Sequence, residues 1–84
     1  MYSLIYSEAS LKQLRKLEQD TKNRIISSLE RIRIHPYPHV KKLVGNPYFR
    51  LRVGDYRVIL DIQNDKLMIL VIEVGHRKDI YKWM

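Results

Sequence analysis

Four arginines, Arg50, Arg52, Arg57 and Arg77, fall within one stretch of this 84-residue chain, together with His76 and Tyr81. A guanidinium presents a planar fork of N–H donors that matches the oxygens of a phosphate two at a time. It stays protonated under ordinary conditions, so arginine can hold and neutralise a phosphoryl group but cannot take a proton from its surroundings. An imidazole or a phenol can, which makes His76 and Tyr81 the candidates for moving protons beside such a cluster. Lys41 and Lys42, a little upstream, can extend the grip on an anionic ligand.

The elements that would position these side chains follow from residues 49–72, FRLRVGDYRVILDIQNDKLMILVI. If Gly54 and Asp55 form a two-residue hairpin turn with glycine first, as a type II′ turn prefers, Val53 pairs with Tyr56 and the register is fixed. Arg52 then faces Arg57, and Arg50 faces Ile59. Because side chains alternate along a strand and opposed residues share a face, Arg50, Arg52 and Arg57 project from one side. Phe49, Leu51, Val53, Tyr56, Val58, Leu60 and Ile62 project from the other, which is the expected core face. Asn64 and Asp65 suit a second two-residue turn, pairing Gln63 with Lys66. That register adds Leu67, Ile69 and Val71 to the core face, and Met68, Leu70 and Ile72 to the arginine face. Like charges opposed across strands are unfavourable, and a conflict of this kind is expected where a site binds something that relieves it.

Upstream, residues 2–6 read as a strand, and Ser7 can cap a helix over residues 8–18 with Ala9, Leu11, Leu14 and Leu17 on its apolar stripe. Asp20 or Thr21 can cap a second helix carrying Ile25, Ile26, Leu29 and Ile32, which must stop before Pro36. A link of one or two residues makes the two an antiparallel hairpin. Residues 35–47, HPYPHVKKLVGNP, read as a loop with no domain boundary. His35 and His39 lack a third metal ligand at a recognisable spacing. The last residues, 77–83, are long enough for a short helical tail on which Arg77 and Tyr81 share a face. The expectation is one domain over residues 1–84 of the α+β class. It has an N-terminal strand, a helical hairpin on one face of the sheet, a three-stranded antiparallel meander and the tail.

Composition narrows the chemistry. Sixteen Lys and Arg stand against nine Asp and Glu, and residues 31–57 alone hold seven basic residues and one acidic. A field this concentrated attracts nucleic acid, an anionic surface or an acidic protein. No cysteine is present, so disulfides, thiolate metal sites and a cysteine nucleophile are excluded. The apolar run at residues 67–72 is far short of a membrane span, and the N-terminus lacks a signal-peptide layout, so a cytoplasmic protein is expected. Two-metal hydrolysis needs several convergent carboxylates. The arginine face offers only Asp61, with Asp55 in a turn and Glu73 expected on the other face. No cofactor or metal is therefore expected. What such residues can support is attack by an RNA's own 2′-hydroxyl on the adjacent phosphate, with arginines stabilising the phosphoryl charge.

RLRVGDYRVIL, followed by VIEVGHRKDIY, resembles the RelE branch of the RelE/ParE superfamily of toxins from toxin–antitoxin systems, and the likeness runs over essentially the whole chain. The resemblance implies a ribosome-dependent endoribonuclease that cleaves mRNA in the A site by the metal-independent 2′-hydroxyl route and so inhibits translation. It implies that Arg57 and Arg77 hold the scissile phosphate, and that Tyr81 stacks on a base or moves a proton. Arg50 and Arg52 stand where some relatives carry lysines, so the proton acceptor lies between Tyr81 and His76. The partners implied are the ribosome with its mRNA and a RelB-like antitoxin that would cover Met68, Leu70 and Ile72. Two other readings fit the same features: a ParE-like poison of DNA gyrase, and an RNA-binding module without catalysis.

Overall fold

Ser7 ends the first strand and opens the first helix. Strand β1 (Ser3–Tyr6) runs into α1 (Glu8–Arg15), and the Ser7 hydroxyl oxygen accepts a hydrogen bond from the Ser10 N–H at 3.0 Å, satisfying a donor that a helix start leaves open. The computed structural model describes residues 1–80. After residues 16–18 comes α2 (Gln19–Ile32), which begins just before the expected caps: Glu18 occupies the cap position in extended backbone, without a side-chain cap bond. On α1 the buried line is Ser10 and Leu14, with Leu17 packed beside them, whereas Ala9 and Leu11 are exposed. On α2 it is Ile25, Leu29 and Ile32, spaced four and three apart as one helical face requires.

The sheet has five strands in the order β1-β5-β4-β3-β2, from β2 (Val40–Lys42), β3 (Phe49–Val53), β4 (Tyr56–Gln63) and β5 (Met68–His76). β1 lies parallel to β5, and the other neighbours are antiparallel. Both helices cover one face. Leu14, Ile25, Leu29 and Ile32 pack there on Leu51, Val53, Val58, Leu60, Ile69, Val71 and Val74, with Phe49, Tyr56 and Ile62 at the margin. The expected core face of the β3–β4 hairpin is thus the observed one. Where β1 stops flanking β5, α1 takes over: the Ser7 hydroxyl donates to the Ile72 carbonyl at 2.7 Å, and the Val74 N–H donates to Gln13 Oε1 at 2.6 Å. Those bonds keep the backbone groups of β5 paired beyond the end of β1.

Three features depart from expectation. Residues 35–47 are more than a loop, because a 3₁₀ turn (Tyr37–His39) delivers β2 to the edge of the sheet. The β4–β5 connection is a 3₁₀ turn (Asn64–Lys66) followed by Leu67 with φ +48°, so Gln63 pairs with Met68 and not with Lys66. Asn64 Oδ1 pins that turn by accepting from the hydroxyls of Tyr2 at 2.6 Å and Tyr37 at 2.7 Å. Finally, a bulge in β5 shifts the register: Leu60 pairs with Val71, but Ile59 pairs with Glu73. In the expected helical tail, residues 77–79 form a turn, closed by the Asp79 N–H on the His76 carbonyl at 2.8 Å. The remainder of that tail lies outside the described residues.

The arginine face also carries a small apolar cluster. Leu43, Ile59 and Ile80 are buried there, with Tyr48 and Ile72 packed against them. Ile72 is therefore covered by the chain itself, using the segment read as a loop and the residues after β5, while Met68 and Leu70 are half-buried. Gly75 makes room for this: a Cβ on it would sit 3.2 Å from Ile80 Cδ1. Among the described residues, no helix is long and apolar enough to cross a membrane.

The β3–β4 turn sets a test. Gly54 has φ +57°, a conformation that L side chains rarely adopt, and a Cβ there would lie 3.3 Å from Arg24 Nη2. Gly54→Ala should lower the unfolding free energy by about 1–2 kcal/mol, read as a reduced urea midpoint, with Gly54→Asn losing less. An unchanged midpoint would contradict this turn geometry.

Candidate functional site

Val53 faces Tyr56 across the Gly54-Asp55 turn, and of the two turn residues only Gly54 has positive φ, the pattern of a type II′ turn. The pairing sets Arg52 opposite Arg57 and Arg50 opposite Ile59, and β2 adds Lys41 opposite Arg50. Opposed residues share a face, so three adjacent strands bring Lys41, Arg50, Arg52 and Arg57 to one side. The bulge extends the set. One extra residue in β5 puts Glu73 opposite Ile59 and Gly75 opposite Arg57, which moves Glu73 from the helix face, where it was expected, to the arginine face.

The turn also holds two of the arginines. Arg57 Nη1 donates to the carbonyls of Gly54 and Tyr56, both at 2.9 Å. The Arg77 backbone N–H donates to the Asp55 carbonyl at 2.8 Å, which ties the chain leaving β5 to the hairpin. The Arg77 Nε lies 3.9 Å from Asp55 Oδ1, but both side chains are more than half exposed. An ion pair in that setting contributes little, so the backbone bond does the positioning.

The result is an open cleft of about 680 Å³ lined by Pro38, His39, Val40, Lys41, Arg50, Arg52, Arg57, Arg77 and Lys78. Six of these nine are cations and none is a carboxylate. Desolvation, then the charges of Arg52, Arg50 and Arg77, push the Arg57 guanidinium below its ordinary pKa, and Asp55 only partly offsets them. Like charge is therefore crowded around Arg57. A bound phosphate would offset it, and the volume is that of a small-ligand site.

Of the residues singled out in the sequence, Arg50, Arg52, Arg57, Arg77 and Lys41 meet in this cleft. Lys42 does not: it pairs with Phe49 on the opposite side of the sheet, its Nζ donating to the Asn46 carbonyl and lying 5.7 Å from the Phe49 ring centroid. His76 does not line the cleft either. It pairs with Tyr56, meets that ring edge-on at 5.5 Å, and accepts the Lys78 N–H at Nδ1 (3.2 Å). Strand alternation explains both. Tyr81 lies outside the described residues. His39 and Lys78 line the cleft without having been expected. The strand that follows His39 is three residues long, too short for its alternation to be recognised, and Lys78 arrives through a turn. Among the described residues, no three His, Cys, Asp or Glu side chains gather as a metal-ligand set.

The comparison with known proteins agrees with this architecture. Residues 4–81 match the family model of the ParE toxin of the type II toxin–antitoxin system parDE, and the chain belongs to that family. Within it, the chain is of the RelE branch. It is 30% identical over 80 residues to the mRNA interferase toxin RelE of Escherichia coli K12, covering 92% of this chain and 84% of that protein. The isolated E. coli RelE toxin superposes with a TM-score of 0.81 at 26% identity, covering 98% of this chain and 93% of that one. The intact E. coli RelBE toxin–antitoxin complex is similar with a TM-score of 0.79 at 29% identity, covering 90% and 96%.

Repulsion inside the cleft can be measured on the free protein. Arg52→Gln removes the charge opposed to Arg57 and should stabilise the fold by roughly 0.2–1 kcal/mol at low salt. The gain should shrink as added salt screens the exposed charges. A destabilised Arg52→Gln protein at low salt would show that the arginines are not in conflict.

Proposed function

We propose that this chain is the toxin of a toxin–antitoxin pair and a metal-independent endoribonuclease that cuts mRNA in the ribosomal A site. The observation that carries the reading is the convergence of Arg50, Arg52, Arg57 and Arg77 in one cleft that no carboxylate lines. The name of the E. coli relative, an mRNA interferase, supports the same chemistry. The RelB–RelE complexes among similar structures support a RelB-like antitoxin as partner.

In this reading the 2′-oxygen of a nucleotide attacks its own 3′-phosphate. A bond forms from that oxygen to phosphorus, the bond to the 5′-oxygen of the next nucleotide breaks, and the products are a 2′,3′-cyclic phosphate and a 5′-hydroxyl. Arg57 and Arg77 hold the non-bridging oxygens, their charge matching the charge that builds up as the attack proceeds. Arg57 is preset for this, because the carbonyls of Gly54 and Tyr56 fix its Nη1 and a bound substrate need not order it. One proton must leave the 2′-hydroxyl and one must reach the 5′-oxygen. Arginine serves neither well. His39 is the imidazole that lines the cleft, and imidazole is the side-chain type suited to proton transfer near neutral pH. We assign it the 2′-hydroxyl proton. The leaving oxygen receives its proton from the ammonium of Lys41 or Lys78, or from the phenol of Tyr81.

Arg57→Ala and Arg77→Ala should each reduce cleavage of mRNA on programmed ribosomes by about 10²-fold or more, with melting temperatures near that of the wild type. His39→Gln should reduce the cleavage rate by about 10²-fold or more, whereas His76→Gln should keep it near the wild-type value. The reverse result would return the role to His76. Growth arrest with DNA damage signalling and intact mRNA would replace the nuclease reading with a ParE-like one.

A further inference from the structure

A second concave surface lies around the end of β3 from the cleft. Asn23, Arg24, Ser27, Ser28 and Arg31 of α2 line it together with Arg52 of β3, and its volume is about 440 Å³. β2 pairs with β3 only as far as Leu51, so Arg52 and Val53 form a strand end that β2 does not cover. Arg52 lines both spaces, and the cleft and the second surface therefore meet at one guanidinium.

This second surface has a definite arrangement. The Arg24 guanidinium lies over the β3–β4 turn, in the space that Gly54 leaves: a Cβ at Gly54 would stand 3.3 Å from Nη2 and 3.6 Å from Nη1. Arg31 follows on the same helix face, roughly 10 Å further along the axis at about 1.5 Å per residue. Ser27 and Ser28 put hydroxyls between the two. No carboxylate lines the surface. Among the described residues, Arg33 pairs with Glu30 and Arg77 with Asp55, and no acidic side chain lies within 4 Å of Arg24, Arg31 or Arg52. Three unneutralised guanidinium groups with hydroxyl and amide donors make a set suited to phosphate oxygens.

We infer that this surface is a second phosphate subsite, which holds the sugar–phosphate backbone of the same RNA strand at nucleotides beyond the bond in the cleft. The inference rests on the RNA reading of the cleft. Continuity carries it: the cations run from Arg77 and Arg57 through Arg52 to Arg24 and Arg31, a path a single strand can follow over the uncovered end of β3. A small phosphate ester would fill the cleft alone and leave Arg24 and Arg31 with no role. Contacts of this kind position a strand without reading its bases, so the subsite contributes grip and direction but no sequence preference.

The test is the salt dependence of binding to a fluorescent 12-nucleotide RNA with 2′-O-methyl groups throughout, which cannot attack its own phosphates. Each phosphate contact to a single strand contributes about 0.7 to the slope of log affinity against log salt. The double variant Arg24→Gln/Arg31→Gln should therefore lower the slope by about 1.4 at a melting temperature near the wild-type value. Arg24→Lys/Arg31→Lys, which keeps the charge, should return most of that slope. A Gln pair with the wild-type slope, alongside Arg57→Ala with a reduced one, would overturn the subsite and leave the cleft reading intact. A wild-type protein with no salt-dependent RNA binding would overturn the subsite, whereas the cleft reading falls only if programmed ribosomes show no cleavage. An unchanged RNA slope with weakened binding of poly-glutamate would overturn the subsite in favour of an acidic protein on this surface.

Discussion

The geometry of the cleft depends on one tight turn. Gly54 and Asp55 set the register of β3 on β4, and that register decides that Arg52 stands opposite Arg57. The same four-residue corner holds Arg57 by two of its carbonyls and Arg77 by a third. A slip of one residue would exchange the faces, turning the arginines into the core and Leu51, Val53 and Val58 into water. The burial of those three residues under α1 and α2 is what makes the slip costly. Stability on one face of the hairpin thus enforces charge crowding on the other.

That coupling explains how the protein can keep an arrangement that is unfavourable in isolation. Crowded guanidinium groups repel, and desolvation together with the charges of Arg52, Arg50 and Arg77 lowers the Arg57 pKa. Packing on the helix side, together with the Leu43, Ile59 and Ile80 cluster beside the cleft, fixes the strands regardless. The strand backbones therefore keep the cations side by side, and Arg57 is further held by the carbonyls of Gly54 and Tyr56. Those bonds to the turn leave the Arg57 guanidinium little to reorganise. The family match and the RelE-like fold place this arrangement in a toxin family.

Much of this could be read from the residues. Gly54 followed by Asp55, flanked by alternating apolar residues, is a strong local signal, and it yields both the core face and the shared face of Arg50, Arg52 and Arg57. The helix stripe at Ile25, Leu29 and Ile32 is equally direct. The misplaced parts depend on tertiary context. A bulge in β5 leaves no composition cue, yet it brings Glu73 and Gly75 to the arginine face. Leu67 takes a left-handed backbone where glycine or asparagine would be expected, and this hid the true β4–β5 register. The three-residue β2 is too short to show a period of two, so the sequence neither tells Lys41 from Lys42 nor brings His39 beside the arginines. His76 stands beside Arg77 in the sequence, but on β5 it follows Gly75, the residue opposite Arg57, and so points to the other face.

The central claim is that the cleft cuts RNA through the RNA's own 2′-hydroxyl, with arginines bearing the phosphoryl charge. The most direct measurement is the chemistry of the new ends when the purified protein is added to ribosomes carrying a defined mRNA. The expected result is a 5′-hydroxyl on the downstream fragment, a 2′,3′-cyclic phosphate or its opened form on the upstream fragment, and no cut where the 2′-hydroxyl of the scissile nucleotide is methylated. Fragments with 5′-phosphate ends, or cleavage that persists at the methylated position, would contradict it.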